Sequence, residues 1–364
     1  MTEYKIIPII NSIGFAIRGM RKQKDYIDYL IKKRKQKVSV IVLANPDFQE
    51  IVEETFLRTG AQVYFEGYED KVFNRETINS IIKKNHISED NIVTESRAMK
   101  FLCQNLKQNY PVIFDNYGVA HPLPNKPSIF ASEKTVRKVE SALLSTVKAA
   151  KNNTDYQDAK VIFLPFSGLK SLGTDFGKDQ NEKEQIAKLM SFPLEDSIPA
   201  IAKIQKELKK HNIMVIPVPI QYGPLEEIYD NIFKLSKQHS LSPIPTSLNI
   251  DWNRDFAKQV SFFYLLNQWS EETGLPNIGI VHGSSCLHLV EECAKPSGIV
   301  AFYGTHTKSL KLEDDGRVYH LAVAEKSGGW LRAIQPPIPN SHDYKLVAEQ
   351  IAEQAPKVIL ERLF

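Results

Sequence analysis

Apolar residues in this chain fall into two kinds of grouping: short unbroken runs, and longer stretches in which they return every third or fourth position. Strands covered on both faces show the first kind, amphipathic helices the second. The two kinds alternate from the start of the chain. Lys5–Ile10 (KIIPII) predicts a strand ending in the turn-forming cluster Asn11-Ser12-Ile13-Gly14. A helix is expected from Ala16 to about Arg34, where Tyr26, Ile27, Leu30 and Ile31 recur at helical spacing. Val38–Ala44 (VSVIVLA) reads as a doubly covered parallel strand, Gln62–Phe65 as a weaker third and Pro111–Phe114 as a fourth. Strand, helix and strand in this order imply βαβ units and a parallel sheet.

The pattern then starts again. Ser132 is placed to cap a helix over Glu133–Ala150, and the polar, turn-rich Lys151–Lys160 is the best linker. Val161–Phe166 (VIFLPF) opens a second series. It continues with helix Pro193–Lys210, strand Ile213–Pro217, helix Leu225–Gln238, helix Asp255–Thr273, strand Ile278–Val281, helix Ser285–Ala294 and strand Ile299–Tyr303. Val318–Ala324 is a candidate further strand, and Tyr344–Arg362 a closing helix that can pack back on the first unit. The expected fold is α/β, two consecutive doubly wound domains covering residues 1–155 and 156–364. Ligands of such folds sit beyond the carboxyl ends of the strands, so the loops there deserve the closest reading.

Composition narrows the function classes. The chain's 364 residues are 42% hydrophobic and 24% charged, enough for two cores and unlike a disordered or low-complexity chain. A net charge of +3 from 46 basic and 43 acidic residues is too balanced for a dedicated nucleic-acid binder. Cys103, Cys286 and Cys293 form neither a disulfide framework nor a structural zinc site, which fits a reducing compartment. No stretch approaches the ~20 apolar residues of a membrane span, and a soluble, cytoplasmic protein is expected. The densest positive charge, Arg18–Lys37, reads either as a solvated helix face or as a peripheral contact with the inner face of a membrane. A P-loop, a G-x-G-x-x-G and a G-x-S-x-G elbow are all missing, which argues against a kinase, an ordinary dehydrogenase and a serine hydrolase.

The segment Ile278–His306 holds the most chemistry. A strand leads into the small-residue turn His282-Gly283-Ser284-Ser285, and a helix is expected to start near Cys286. A helix N-terminus presents unpaired N–H groups and about half a positive charge, which suits a phosphate. Gly283 lets a ligand approach the backbone, Ser284 and Ser285 add donors, and His288 falls in the first turn. A second strand returns to Gly304-Thr305-His306, another small-residue turn. The plain alternative is that Ser284 merely caps a helix and His288 is a core histidine with its bonds satisfied.

These residues resemble the nucleotide-sugar motif of the ADP-heptose:lipopolysaccharide heptosyltransferase family, Asp-Thr-Gly-x-x-His-Leu-Ala followed by Lys-Pro, an apolar strand and a Gly-Pro-Thr turn. Here His288-Leu289 and Lys295-Pro296 stand at the family's spacing, Ser284-Ser285 replaces Thr-Gly, Gly283 replaces the Asp, and Gly304-Thr305 forms the last turn. Asn109–Gly118 resembles a second family segment through Asp115 and Gly118, and Pro217–Ile228 a third through Gly223 and Glu226 or Glu227. Phe163–Lys178 occupies the place of the phosphate-contacting loop, with Lys170 or Lys178 as the lysine. The resemblance implies a GT-B fold: two Rossmann-like doubly wound domains facing a central cleft, the C-terminal one binding the nucleotide sugar and the N-terminal one the acceptor.

One departure bears on catalysis. The family's first strand ends in Gly-Asp, whose Asp is thought to act as general base; this chain has Gly14-Phe15, and a phenylalanine accepts no proton. Asp115 is the first candidate to replace it and His121 the second, against plain readings as a turn residue and a loop residue. The implied activity is transfer of a sugar from a nucleotide diphosphate to a hydroxyl of a glycan, glycolipid or protein, in bacterial glycan or glycoconjugate assembly. Neither a metal nor a cofactor beyond that donor is expected. Two alternatives stay open: a non-catalytic nucleotide-sugar-binding or assembly protein, favoured by Phe15, and a sugar-nucleotide epimerase or hydrolase on the same fold.

Overall fold

The computed structural model describes residues 3–8, 13–67, 80, 83–84, 128–152, 158–170, 194–222, 225–241, 248, 250–252, 254–275, 277–280, 299–304, 330–334 and 344–361. Among them, β1 (Glu3–Pro8), β2 (Val38–Ala44) and β3 (Gln62–Gly67) form one parallel sheet in that order. Helix α1 (Ile13–Lys32) crosses from β1 to β2, and α2 (Gln49–Leu57) from β2 to β3. Every residue of β2 is buried, as its unbroken apolar run predicts for a central strand. Helix α2 has no counterpart among the sequence expectations, although its signals are present. Asn45 caps the turn before it, its Oδ1 accepting from Asp47 N–H at 2.9 Å, Pro46 follows, and Ile51, Val52, Thr55 and Phe56 bury one face.

The second sheet contains β4 (Lys160–Lys170), β5 (Ile213–Tyr222), β6 (Asn277–Ile280), β7 (Ile299–Gly304) and β8 (Trp330–Ile334), all parallel, in the order β5-β4-β6-β7-β8. The helices that follow the first sheet in the chain are α3 (Glu133–Asn152), α4 (Leu194–Lys209), α5 (Leu225–Gln238), α6 (Phe256–Thr273) and α7 (Tyr344–Leu360). Strand β8 was not among the sequence expectations. The expected strands Pro111–Phe114 and Val318–Ala324 and the expected helix Ser285–Ala294 lie outside the described residues.

Side chains of β4 and β5 alternate between two cores, as a period of two requires. Ile162, Leu164, Phe166, Ile213 and Val215 join Ile198, Ile201 and Ile204 of α4 and Ile351, Ala355 and Ile359 of α7. Val161, Phe163, Met214, Ile216, Val218 and Ile220 face the other way, into a core that also holds Phe262 and Phe263 of α6, Val40 and Val42 of β2, and Ile17 of α1. Helix α6 is buried nearly all round, which a helix at the centre of a core must be. It packs on α3 and α2, and its Trp269 donates Nε1–H to the Val161 carbonyl of β4 at 2.9 Å.

Local chemistry ends the helices. Thr135 N–H bonds Ser132 Oγ at 3.3 Å, so Ser132 caps α3, and Ser132 Oγ in turn donates to Glu50 Oε1 of α2 at 2.7 Å. Gly274, left-handed with φ of 69°, closes α6. Helix α1 closes on Lys35, with φ of 58°, where a glycine is usual; a non-glycine residue there costs roughly 1 kcal/mol. The helix closing the chain, α7, packs along α4 and against β7 and β8.

Candidate functional site

The second sheet reverses direction once. From β4 the chain moves to one side for β5, then returns to the other side of β4 for β6, β7 and β8. Doubly wound sheets bind ligands beyond the carboxyl ends of the strands that flank such a reversal. The register sets the levels of the strand ends. Ile280, the last residue of β6, is level with Phe166 of β4 and Phe302 of β7. Strand β4 runs on to Lys170 and β7 to Gly304. At about 3.3 Å per residue, β4 reaches roughly 13 Å and β7 roughly 7 Å past the end of β6.

Strand β4 is also irregular at this edge. Ser167 pairs with Ile220 and Lys170 with Tyr222, so β4 carries one more residue than β5 across the interval. Such a bulge re-aims the chain beyond it and is common beside functional sites.

Two of the sequence candidates thus have a place: Lys170 and Gly304 end the strands on either side of β6. Lys178, Gly283, Ser284, Ser285, His288, Thr305, Asp115 and His121 lie outside the described residues, as do Gly118, Gly223, Leu289, Lys295 and Pro296. Glu226 and Glu227 fall in the first turn of α5, which follows β5 at the same edge. Gly14 and Phe15 require a correction. The first strand ends at Pro8, and both residues belong to the first turn of α1 rather than to the strand end. Asn11, Ser12 and Ile13 hold no proline and follow an apolar run closely, so the helix starts sooner than the turn cluster suggested.

An aromatic pair joins the carboxyl side of the first sheet to that of the second. Phe48 sits in the turn that leaves β2, and Phe256 is the first residue of α6, which descends toward the amino end of β6. Their rings stack with centroids 4.2 Å apart and planes 4° from parallel. A cavity of about 140 Å³ that no sequence signal announced lies at the carboxyl end of α2, lined by Arg58, Phe130, Glu133, Ser261 and Tyr264 among others. The Arg58 guanidinium lies 4.0 Å over the Phe130 ring and closes part of it. Among the described residues no three His, Cys, Asp or Glu side chains come together in a way that could hold a metal ion.

No family model matches the sequence, and no curated protein matches it significantly. Among solved structures, the chain is similar to an α,α-trehalose-phosphate synthase (UDP-forming) from Burkholderia xenovorans in complex with glucose-6-phosphate, at 8% identity and a TM-score of 0.29, over 94% of this chain and 72% of that one. It is similar to an α,α-trehalose 6-phosphate synthase from Burkholderia multivorans at 10% identity and a TM-score of 0.28, over 94% and 70%. The Escherichia coli protein bound with UDP-2-fluoro glucose gives 9% and 0.25, over 94% and 74%. At scores this low the overlap decides neither the fold nor the chemistry.

Proposed function

We propose that the protein is a glycosyltransferase of the GT-B type, taking a nucleotide-diphosphate sugar as donor and a glycan, glycolipid or protein hydroxyl as acceptor. The observation that carries this reading is the strand order of the second sheet. Among the described strands the reversal lies between β4 and β6, the two strands that lead into Lys170–Lys178 and His282–His288, the segments where the sequence suggests a phosphate site. In this reading Ser284 and Ser285, one of Lys170 and Lys178, and the Gly304-Thr305 turn hold the diphosphate. They stabilise the leaving group as negative charge grows on it, a task backbone donors and a lysine perform without a metal. His288 touches a phosphate or the sugar, and the first sheet's loops hold the acceptor across a cleft. Asp115, or failing it His121, takes the proton of the attacking hydroxyl, since Phe15 has no group to do so.

A thermal-shift panel of nucleoside diphosphates and their sugar conjugates tests the donor site. A ligand at a hundred times its dissociation constant adds about 2.7 kcal/mol, enough to raise the melting point by several degrees. A shift with one nucleotide base, lost in His288→Ala or Ser285→Ala, is the expected result. Absence of any shift across the panel sinks the reading. Hydrolysis or isomerisation of the bound donor without any acceptor would instead favour an epimerase or hydrolase on the same fold, and binding without turnover an assembly protein.

A further inference from the structure

The run of positive charge from Arg18 to Lys37 is divided by the fold into an interior and an exterior part. Arg21 is only 8% exposed, and Lys24 Nζ meets Asp28 Oδ2 at 3.1 Å with both side chains less than a fifth exposed. The apolar face of α1 is likewise taken up by the core, with Ala16, Ile17, Met20 and Ile27 buried among β2 and α2 residues. A helix whose apolar face is already covered has nothing to insert into a bilayer interface, so the basic amphipathic helix that the sequence suggested is not available.

What projects is the end of α1 and the turn after it. Lys32, Lys33, Arg34, Lys35, Gln36 and Lys37 are six consecutive exposed residues, five of them cationic. Of these five cations Asp28 answers Lys32 alone, at 2.7 Å, its other oxygen meeting Lys24. Arg34 donates Nε–H to the Tyr29 hydroxyl at 3.0 Å and lies 5.7 Å from that ring, with no carboxylate partner among the described residues. Lys33, Lys35 and Lys37 have no carboxylate within ion-pair distance among the described residues. The left-handed position that ends the helix is given to Lys35 and not to a glycine, so a fourth uncompensated cation stands at the tip despite its strained backbone.

Position and shape restrict the partner. Lys37 directly precedes β2, which puts the tip at the amino edge of the first sheet, the opposite edge from Pro8, Ala44 and Gly67. The tip lines neither the cavity beside Arg58 and Phe130 nor the one between α4 and α7. Its one aromatic, Tyr29, is occupied by Arg34 and does not present a stacking platform of the kind single-stranded nucleic acids use. Four exposed cations without an ion-pair partner among the described residues match a flat, extended anionic surface. We propose that Lys33, Arg34, Lys35 and Lys37 dock the protein on an anionic lipid bilayer by charge alone, without insertion. The proposal stands independently of the glycosyltransferase reading.

Co-sedimentation of the full chain with phosphatidylserine-containing vesicles, against pure phosphatidylcholine vesicles, tests it. At about 0.1 M salt, binding is expected only to the anionic vesicles, and it should fall away as added salt shortens the Debye length. Each cation contributes about fivefold, the equivalent of ~1 kcal/mol, so replacing all four with glutamine should weaken binding several-hundred-fold. Lys35→Gly gives a test that a folding defect cannot imitate: it should raise the melting point while weakening vesicle binding about fivefold. Equal binding to both vesicle types, failure to bind anionic vesicles, or unchanged binding in Lys35→Gly and the fourfold variant would overturn the proposal. So would displacement from the vesicles by single-stranded RNA at equal charge concentration, which would make nucleic acid the partner.

Discussion

The two faces of the second sheet are covered in different ways. On one face, Ile162, Leu164 and Phe166 pack under α4 and α7, in a core made wholly of residues after 160. On the other, Val161 and Phe163 pack under α6 in a core that continues through Phe48, Phe56 and Val42 into the first sheet. Adjacent residues of one strand therefore belong to cores of different extent. The first face is private to its sheet, and the second makes α6 a shared strut whose loss should be felt on both sides. Neighbouring positions along β4 can thus be equally buried and yet differ in what they hold together.

The largest effect is expected on the shared face. Phe262 is fully buried and meets Trp252 and Phe263 edge-on, with centroids 5.7 and 5.3 Å away. Phe262→Ala should cost about 3–5 kcal/mol. Denaturant unfolding followed by hydrogen exchange should show β2 and β4 amides losing protection together. If only β4 amides respond, the core is not shared in the way the packing suggests.

Leu164→Ala, on the private face, should cost roughly 2–5 kcal/mol. Here protection should fall in β4, α4 and α7 while β2 keeps a larger share of its own. Equal loss in β2 would show that the two faces respond as one unit.

The smallest effect belongs to the outer surface of α4 and α7. A hydrogen bond from Lys210 holds the Glu207 carboxyl below its ordinary range, with desolvation opposing it and the Lys210 and His211 charges adding to it. Lys357 does the same for Glu353, first through its hydrogen bond and then through its charge. In both cases the folded-state pKa lies below the unfolded one. The stabilisation is therefore present above the unfolded value and is lost as pH falls through the folded one. Both groups are solvent-exposed, so a Glu207→Gln/Glu353→Gln double variant should melt within about a degree of the parent at neutral pH. Any difference should vanish below the lowered carboxylate pKa, as a pH series of melting curves will show.

Much of the order of elements was legible beforehand because it depends on local period. Val38–Ala44 is a strand over the residues expected, as is Leu225–Gln238 as a helix. Ser132 caps α3 as its side chain and position suggested. Strand β8 was harder to see, since Trp330–Ile334 contains Arg332 and is short enough to read as loop. The candidate site was legible only as a set of loops after strands. Which strand ends flank one another follows from pairing between residues more than a hundred positions apart, such as Phe166 with Ile280.

The sequence by itself determined the alternation of parallel strands and helices and most helix limits. Those features arise within a turn or two of backbone, where period and capping act. Only the tertiary structure decided the strand order and its reversal between β4 and β6. It also decided that α6 is buried on nearly all sides, and that the charge of Arg18–Lys37 is divided between core and tip. Each of these depends on which distant surfaces bury one another, and burial is a property of the assembled fold that no stretch of chain contains alone.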